Sequence, residues 1–490
     1  MASSAFRFFD NLAVPRIALT AAAAAVTASA ALLAVHLARL IADNNVDATL
    51  QAAEKEDEER RLSRSASGSR LAHSASHKPV QEMRTATVEG DANDSRRCSN
   101  TAAEARLTTS STTAATAATP PPDLSACGRL AQFEAEAQRR LPPYIYTYFA
   151  YTAGRRAPAR GADAFAAQQL LPMTMARLDV ASAAEVDTAW ELFGCRYNTP
   201  FMVAPTGFHR LLHPQGELVT ARACRAVGAC YVYNYMYSTI DAAEVAAVGG
   251  APWASLYLYQ DREHTLHAVR RCESLGFAAI VLTCDHVHNG VREATMPLFD
   301  KEGDAAFLKS TMVFPNARAY WRDAGLEDQA AVGCVDPRLG WEDVKWLKAQ
   351  TGLPLIVKGL LSENDARAAI RAGVDGIIVS NHGFRQTDSG PAAVDALQRI
   401  ALVTRGRCAL FLDSGVRCGQ HALAAAAHGA TAVLVGRPPL WGLAVDGQTG
   451  VETVLQVLTR DLQNEMLTVG CSQLQHVGPS VLAVKSQEDY

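Results

Sequence analysis

Beyond Asp123 the chain alternates short, continuous apolar runs with longer stretches that carry apolar residues at helical spacing. The runs lie at 201–204, 230–233, 254–257, 279–283, 355–358, 376–380, 409–413 and 432–436. Their Val, Ile and Leu content, without polar alternation, is that of parallel strands buried on both faces. Between them, 261–275 predicts an amphipathic helix, and Ser362 predicts the cap of a helix opening at Glu363. Eight such strand–helix units within roughly 360 residues, with no strand-only segment, predict an α/β fold of the closed (β/α)8 or TIM barrel type. A doubly wound open sheet is the alternative.

The N-terminal third has a different texture. Residues 17–35 carry no charge and are dominated by Ala, Leu and Val, with Arg7 and Arg16 before them and Arg39 after. About nineteen such residues just span a bilayer, although alanine adds little to insertion. A membrane anchor, an uncleaved signal and an organellar (mitochondrial) presequence all fit, and an anchor or presequence is preferred to a soluble helix. From Asp43 to Thr119 the chain is rich in Ala, Ser, Thr, Glu and Arg and poor in aromatics. Such a segment cannot offset its ordering entropy by burial, which predicts a disordered tether ending at Pro120-Pro121-Pro122. The expected organisation is an anchor or targeting segment at 1–42, a linker at 43–124 and a folded domain at 125–490. The last residues, Gln487 to Tyr490, lack a Ser-Lys-Leu type peroxisomal address.

Composition narrows the classes. A formal net charge of -4, with no basic stripe, argues against nucleic acid as a partner. The 11 cysteines are scattered, with no Cys-x-x-Cys and no zinc spacing, which fits a reducing compartment and predicts no metal site.

In a barrel the chemistry comes from the C-terminal ends of the strands. Those ends read Ala204-Pro205-Thr206-Gly207, Tyr257, Thr283-Cys284-Asp285, Lys358-Gly359, Ser380-Asn381-His382, Asp413-Ser414-Gly415-Val416-Arg417 and Gly436-Arg437-Pro438. Taken alone, His382 and Arg385 would be a satisfied loop histidine and a surface charge. Polar or glycine residues closing nearly every strand on one rim overturn that reading. Arginine matches a carboxylate with its planar fork, and histidine is readily poised as a base. The glycine loops after strands seven and eight, with Arg417 and Arg437, predict a phosphate site and so a phosphorylated cofactor. Lys358 beside it is a cation placed for developing negative charge. No Gly-x-Gly-x-x-Gly opens a βαβ unit, which argues against nicotinamide bound in the Rossmann manner.

Ser-Asn-His-Gly-x-Arg-Gln at 380–386, Val-Lys-Gly at 357–359, Asp-x-Gly-Val-Arg at 413–417 and Gly-Arg-Pro at 436–438 closely resemble the FMN-dependent α-hydroxy-acid oxidases and dehydrogenases. Leu-Pro-x-x-x-Tyr-x-Tyr at 141–148, Ala-Pro-Thr-Gly at 204–207, Leu-Tyr-x-Tyr-x-Asp-Arg at 256–262 and Arg-Glu at 292–293 extend the resemblance over 141–472. The resemblance implies oxidation of an (S)-2-hydroxy acid such as glycolate or L-lactate to the 2-oxo acid. It implies His382 as base, Asp285 as partner of the imidazolium, Arg385 and Tyr148 as carboxylate clamp, Arg292 as a nearby cation and Tyr257 on the substrate oxygen. FMN would be held by Ala204, Pro205, Thr206, Gly207, Asn234, Ser255, Thr283, Lys358, Ser380, Asp413, Ser414, Gly415, Val416, Arg417, Gly436 and Arg437. Met236, Tyr237 and Phe208 would set substrate size. The electron acceptor would be oxygen, a quinone or a separate cytochrome, with a membrane acceptor if 17–35 is an anchor, and the assembly a homotetramer.

The chain also departs from the resemblance. Ser255 stands for a glutamine, Asn234-Tyr235 for a Ser-Ser pair, Ser414 for the middle glycine of the phosphate loop, and Asp285-His286-Val287 for Asp-Thr-Pro. An FMN-dependent isomerase of the type 2 isopentenyl diphosphate kind, or a non-catalytic FMN-binding module, are the alternatives. A carboxylate clamp serves no purpose for a diphosphate.

Overall fold

The computed structural model describes residues 130–154, 160–173, 180–286, 290–295, 307–308, 310–325 and 335–483. The segment at 17–35 and the tether at 43–124 lie outside the described residues. Among the described residues no helix is long and apolar enough to cross a membrane.

Helices α1 (Leu130–Arg140) and α2 (Pro143–Ala150) lie ahead of the barrel, and the fixed φ of Pro143 suits the first turn of α2. The barrel strands are β1 (Phe201–Val203), β2 (Val232–Asn234), β3 (Trp253–Leu256), β4 (Ala279–Thr283), β5 (Leu355–Leu360), β6 (Gly376–Val379), β7 (Ala409–Asp413) and β8 (Ala432–Val435). The helices between and after them are α3 (Gly216–Val227), α4 (Ala242–Val248), α5 (Arg262–Ser274), α6 (Pro315–Asp323), α7 (Trp341–Ala349), α8 (Glu363–Arg371), α9 (Ala393–Thr404), α10 (Gly419–Ala427) and α11 (Arg437–Thr468). Helix α5 opens where expected, with the Asp261 carboxylate accepting the Glu263 N–H at 3.0 Å. Helix α8 is capped by Ser362, whose Oγ accepts the Asp365 N–H at 3.1 Å.

All eight strands are parallel, hydrogen-bonded in the order β1-β8-β7-β6-β5-β4-β3-β2. A parallel bridge between Val203 and Tyr231 joins the two ends, so the sheet closes and the open-sheet alternative falls. Side chains alternate across it. Ile377 and Val379 face the helices, while Ile378 points into the barrel with Met202, Val281, Ile356, Phe411 and Leu434. A short hairpin (190–192 with 195–197), which the sequence pattern did not predict, packs Trp190 into that inner cluster. Its indole lies 4.8 Å from the Tyr197 ring, 6.3 Å from Trp253 and 6.2 Å from Phe411. Each such ring contributes roughly 2–3 kcal/mol by the area it removes from water. Trp253 opens its strand, so this aromatic plug fills the N-terminal end and leaves the C-terminal end as the cleft.

Strand β5 runs two residues past the expected Lys358 and bulges between Lys358 and Leu360. Gly359 sits there at φ 113°, and a Cβ on it would meet the Asp285 side chain at 2.5 Å. Only glycine admits β4's aspartate so close to β5.

Candidate active site

The loop after β6 is strained. His382, Gly383 and Phe384 follow one another at φ 56°, 62° and 58°. For the two residues that carry a Cβ this left-handed conformation costs of order 1–3 kcal/mol each. Hydrogen bonds hold it in place. Ser380 Oγ accepts the His382 N–H at 3.0 Å, Ser414 Oγ accepts the Gly383 N–H at 3.0 Å, and Asn381 Oδ1 accepts the Phe384 N–H at 3.2 Å.

So held, His382 directs Nδ1 to Asp285 Oδ1 at 2.9 Å. A carboxylate only accepts, so Nδ1 carries a proton in this contact. Burial alone would raise the Asp285 carboxyl, yet the neighbouring His382 ring and Lys358 ammonium hold it below the usual carboxylate value. Lys358, 3% exposed, donates to Ser380 Oγ at 3.0 Å and pairs with Asp413 Oδ2 at 3.0 Å, while Ser380 donates to the same carboxylate at 2.5 Å. Asp413 and Ser380 therefore fix the ammonium between β5, β6 and β7.

Arg385 spreads its guanidinium over the Tyr148 ring at 5.7 Å and donates to the Tyr148, Phe149 and Tyr151 carbonyls at 3.0–3.3 Å. Arg437 donates to the Phe149 and Gly383 carbonyls at 3.1 and 3.3 Å, and Arg292 to the Arg385 carbonyl at 3.2 Å. Burial, then the charge of Arg292, pushes Arg385 down to about 9; burial, then Arg417, pushes Arg437 down to about 10. Among the described residues Arg292, Arg385, Arg417 and Arg437 form no ion pair. Half-buried cations crowded together without a direct ion pair, with only Glu134 and Asp413 acting on Arg417 and Arg437 from farther off, fit an anionic group. The residues present therefore fit a phosphate-bearing cofactor together with a substrate carboxylate.

The cleft encloses about 1090 Å³ including its open mouth. Tyr148, Ala204, Pro205, Thr206, Gly207, Asn234, Tyr257, Thr283, Arg292, Lys358, His382, Arg385, Asp413, Ser414, Gly415, Gly436 and Arg437 line it. Thr206 is braced from below, its hydroxyl 2.8 Å from His209 Nε2. Asn234 donates to the Pro205 carbonyl and accepts the Tyr237 N–H, both at 2.9 Å, joining the ends of β1 and β2. Burial raises the Tyr257 phenol, which keeps its proton.

Other expected residues stand back from the cleft. Asp285 lies behind His382, and Ser380 is fully buried beneath Lys358. Ser255, expected at a flavin contact, is fully buried and spends its short side chain on Thr283 Oγ1 at 3.1 Å. Val416 is in the core, and Arg417 turns its Nη1 back to the Val416 carbonyl at 2.8 Å. Met236 is buried in the core, whereas Phe208 and Tyr237 do line the cleft. Phe149, His286, Gly383, Leu434 and Leu440 also line it and were not among the expected site residues. His286 was visible in the sequence only as a departure; Leu434 and Leu440 read as ordinary core residues.

A family model described as FMN-dependent dehydrogenase matches residues 137–484. The chain is 36% identical over 359 residues to 2-hydroxyacid oxidase 1 of Homo sapiens, covering 71% of this chain and 95% of that protein. It is 36% identical over 361 residues to glycolate oxidase of Spinacia oleracea, covering 72% and 94%. A solved structure of mandelate oxidase with (S)-4-hydroxymandelic acid matches at TM-score 0.63 and 34% identity, over 73% of this chain and 98% of that one.

Proposed function

The chain belongs to the FMN-dependent dehydrogenase family and is an FMN enzyme that oxidises 2-hydroxy acids, and we propose that His382 is its base and Arg385 with Tyr148 its carboxylate clamp. The observation that carries these roles is the 2.9 Å contact of His382 Nδ1 with Asp285, which leaves Nε2 free in a cleft that Arg385 and Tyr148 also line. The FMN, when bound, supplies the two-electron acceptor. Gly415, Gly436 and Arg437 would hold its phosphate, with Arg417 adding charge from behind, and Lys358 would face its ring.

Of the two hydrogens the substrate loses, His382 takes one as a proton, the other would go with the electron pair of C2 to the bound FMN, and Asp285 stabilises the imidazolium that results. Arg385 and Tyr148 fix the carboxylate, Arg292 adds positive charge beside it, and the Tyr257 phenol donates to the substrate oxygen. The preferred substrate is an (S)-2-hydroxy acid, and oxygen is the favoured acceptor, supported by relatives named as oxidases. A diphosphate isomerase on the same barrel is not favoured, since the relatives above are all hydroxy-acid oxidases.

The test is anaerobic addition of glycolate, L-lactate or a longer hydroxy acid to the yellow protein. Bleaching of the flavin band is expected, and His382→Ala should slow it by at least about 10²-fold with FMN retained. Loss of FMN from that variant, or an unchanged rate, overturns the role given to His382.

A further inference from the structure

His286 follows Asp285 at the end of β4 and lines the cleft while only 7% exposed. Its ring centre is 5.5 Å from that of His382, 5.5 Å from Tyr257 and 5.8 Å from Tyr237. It thus borders the space between the two groups that would flank the reacting carbon. Among the described residues the ring meets no hydrogen-bond partner beyond its own backbone, and Nδ1 is buried. A buried polar group left short of partners is costly, and no other described residue satisfies this one.

The ring's surroundings decide its form. Burial first, then the adjacent His382 and Arg292, push His286 down to about 4, so it stands neutral at pH 7. A neutral imidazole offers one donor and one acceptor and does not attract a second carboxylate as a cation would. Tyr237 and Phe208, whose rings are 5.8 Å apart, close the neighbouring wall with aromatic surface. His286 adds a neutral imidazole beside that wall.

We propose that His286 hydrogen-bonds a substituent on the carbon next to the reacting one, so that the enzyme prefers 2-hydroxy acids bearing a neutral hydroxyl or carbonyl at C3 to those with alkyl side chains. This rests on the hydroxy-acid reading above and names the substrate class within it. A site built to pair a hydroxyl rejects the isostere that lacks it, because its own polar group is then stranded.

L-Glycerate and L-2-hydroxybutyrate differ at C3 only by hydroxyl against methyl and are nearly equal in size. With the FMN-loaded full chain, anaerobic stopped-flow reduction should favour glycerate by at least about tenfold in apparent second-order rate constant. His286→Leu should bring the ratio near one, and His286→Asn, which keeps a donor and an acceptor, should keep part of it. Calorimetry with the 2-oxo products, which cannot reduce the flavin, gives a readout independent of turnover. Hydroxypyruvate should bind wild type at least about tenfold tighter than 2-oxobutyrate, and the preference should vanish in His286→Leu. Bleaching by glycolate with no glycerate preference, or a preference that survives in His286→Leu, overturns the role of His286 alone. No bleaching by any of these acids overturns the hydroxy-acid reading and this inference with it.

Discussion

Replacing Asp285 by asparagine removes one charge and keeps an oxygen within reach of His382. At 2.9 Å and an effective dielectric of about 20, the attraction between this carboxylate and an imidazolium is roughly 6 kcal/mol before solvent screening. The side chains are 20% and 15% exposed, so part of that is screened, and the asparagine oxygen retains a neutral hydrogen bond. The part that disappears is the stabilisation of charge gained when His382 takes the substrate proton, about 3–4 kcal/mol, or roughly 10²–10³ in the rate of flavin reduction. Asp285 does not line the cleft, so FMN content and the visible spectrum should not change. Stopped-flow reduction by a saturating hydroxy acid under anaerobic conditions measures the effect. Reduction within about threefold of wild type, at full FMN occupancy, would refute the claim that Asp285 stabilises a proton gained by His382.

Two further outcomes follow from local geometry. Ser414 stands at φ 85° and its Oγ accepts the Gly383 N–H, so Ser414→Ala keeps the strain and strands the amide, costing about 1–2 kcal/mol, whereas Ser414→Gly also relieves the strain and should melt closer to wild type; equal melting temperatures for the two variants would refute this. His264 lies between the Tyr259 and Tyr320 rings at 3.9 and 4.2 Å, and burial pushes it down to about 4 from an ordinary value near 6.5. The folded state then holds fewer protons than the unfolded one between those values, so stability falls as pH drops through that window and levels off below about 4. His264→Phe keeps the stack and should flatten this loss by roughly 1–2 kcal/mol in unfolding free energy between pH 7 and 4.5, and an unchanged slope would contradict it.

The barrel was legible because each strand is an uninterrupted apolar run, which a sheet buried on both faces requires. The plugging hairpin was not, since Glu191 and Arg196 interrupt strands of three residues each and leave no period to detect. At the site, residues at strand ends were legible as polar groups on one rim, and His382, Lys358, Arg385 and Arg437 all line the cleft. Position at a strand end does not say where a side chain points. Arg417 turns back to its own loop and Ser255 is absorbed by Thr283 for that reason. His286 was visible as an unusual residue after Asp285, but its interest depends on burial and on meeting no side-chain partner among the described residues, which appear only once the strands are assembled.

Ser414, where the resemblance expects a glycine, bears on how the loops after β6 and β7 are coupled. Ser380 receives Lys358 and the His382 amide while donating to Asp413, and Ser414 receives the Gly383 amide from the neighbouring strand end. The histidine loop of β6 and the end of β7 are thus joined by two hydrogen bonds, from the Ser380 hydroxyl to Asp413 and from the Gly383 amide to Ser414. The left-handed backbone at His382 persists only while those acceptors stay in place, because each costs the chain more than a loop alone would sustain. The orientation of His382 and order in the glycine loop after β7 are therefore coupled. A glycine at 414 would offer no hydroxyl for Gly383, so in this chain a side chain carries a link that backbone alone would not make.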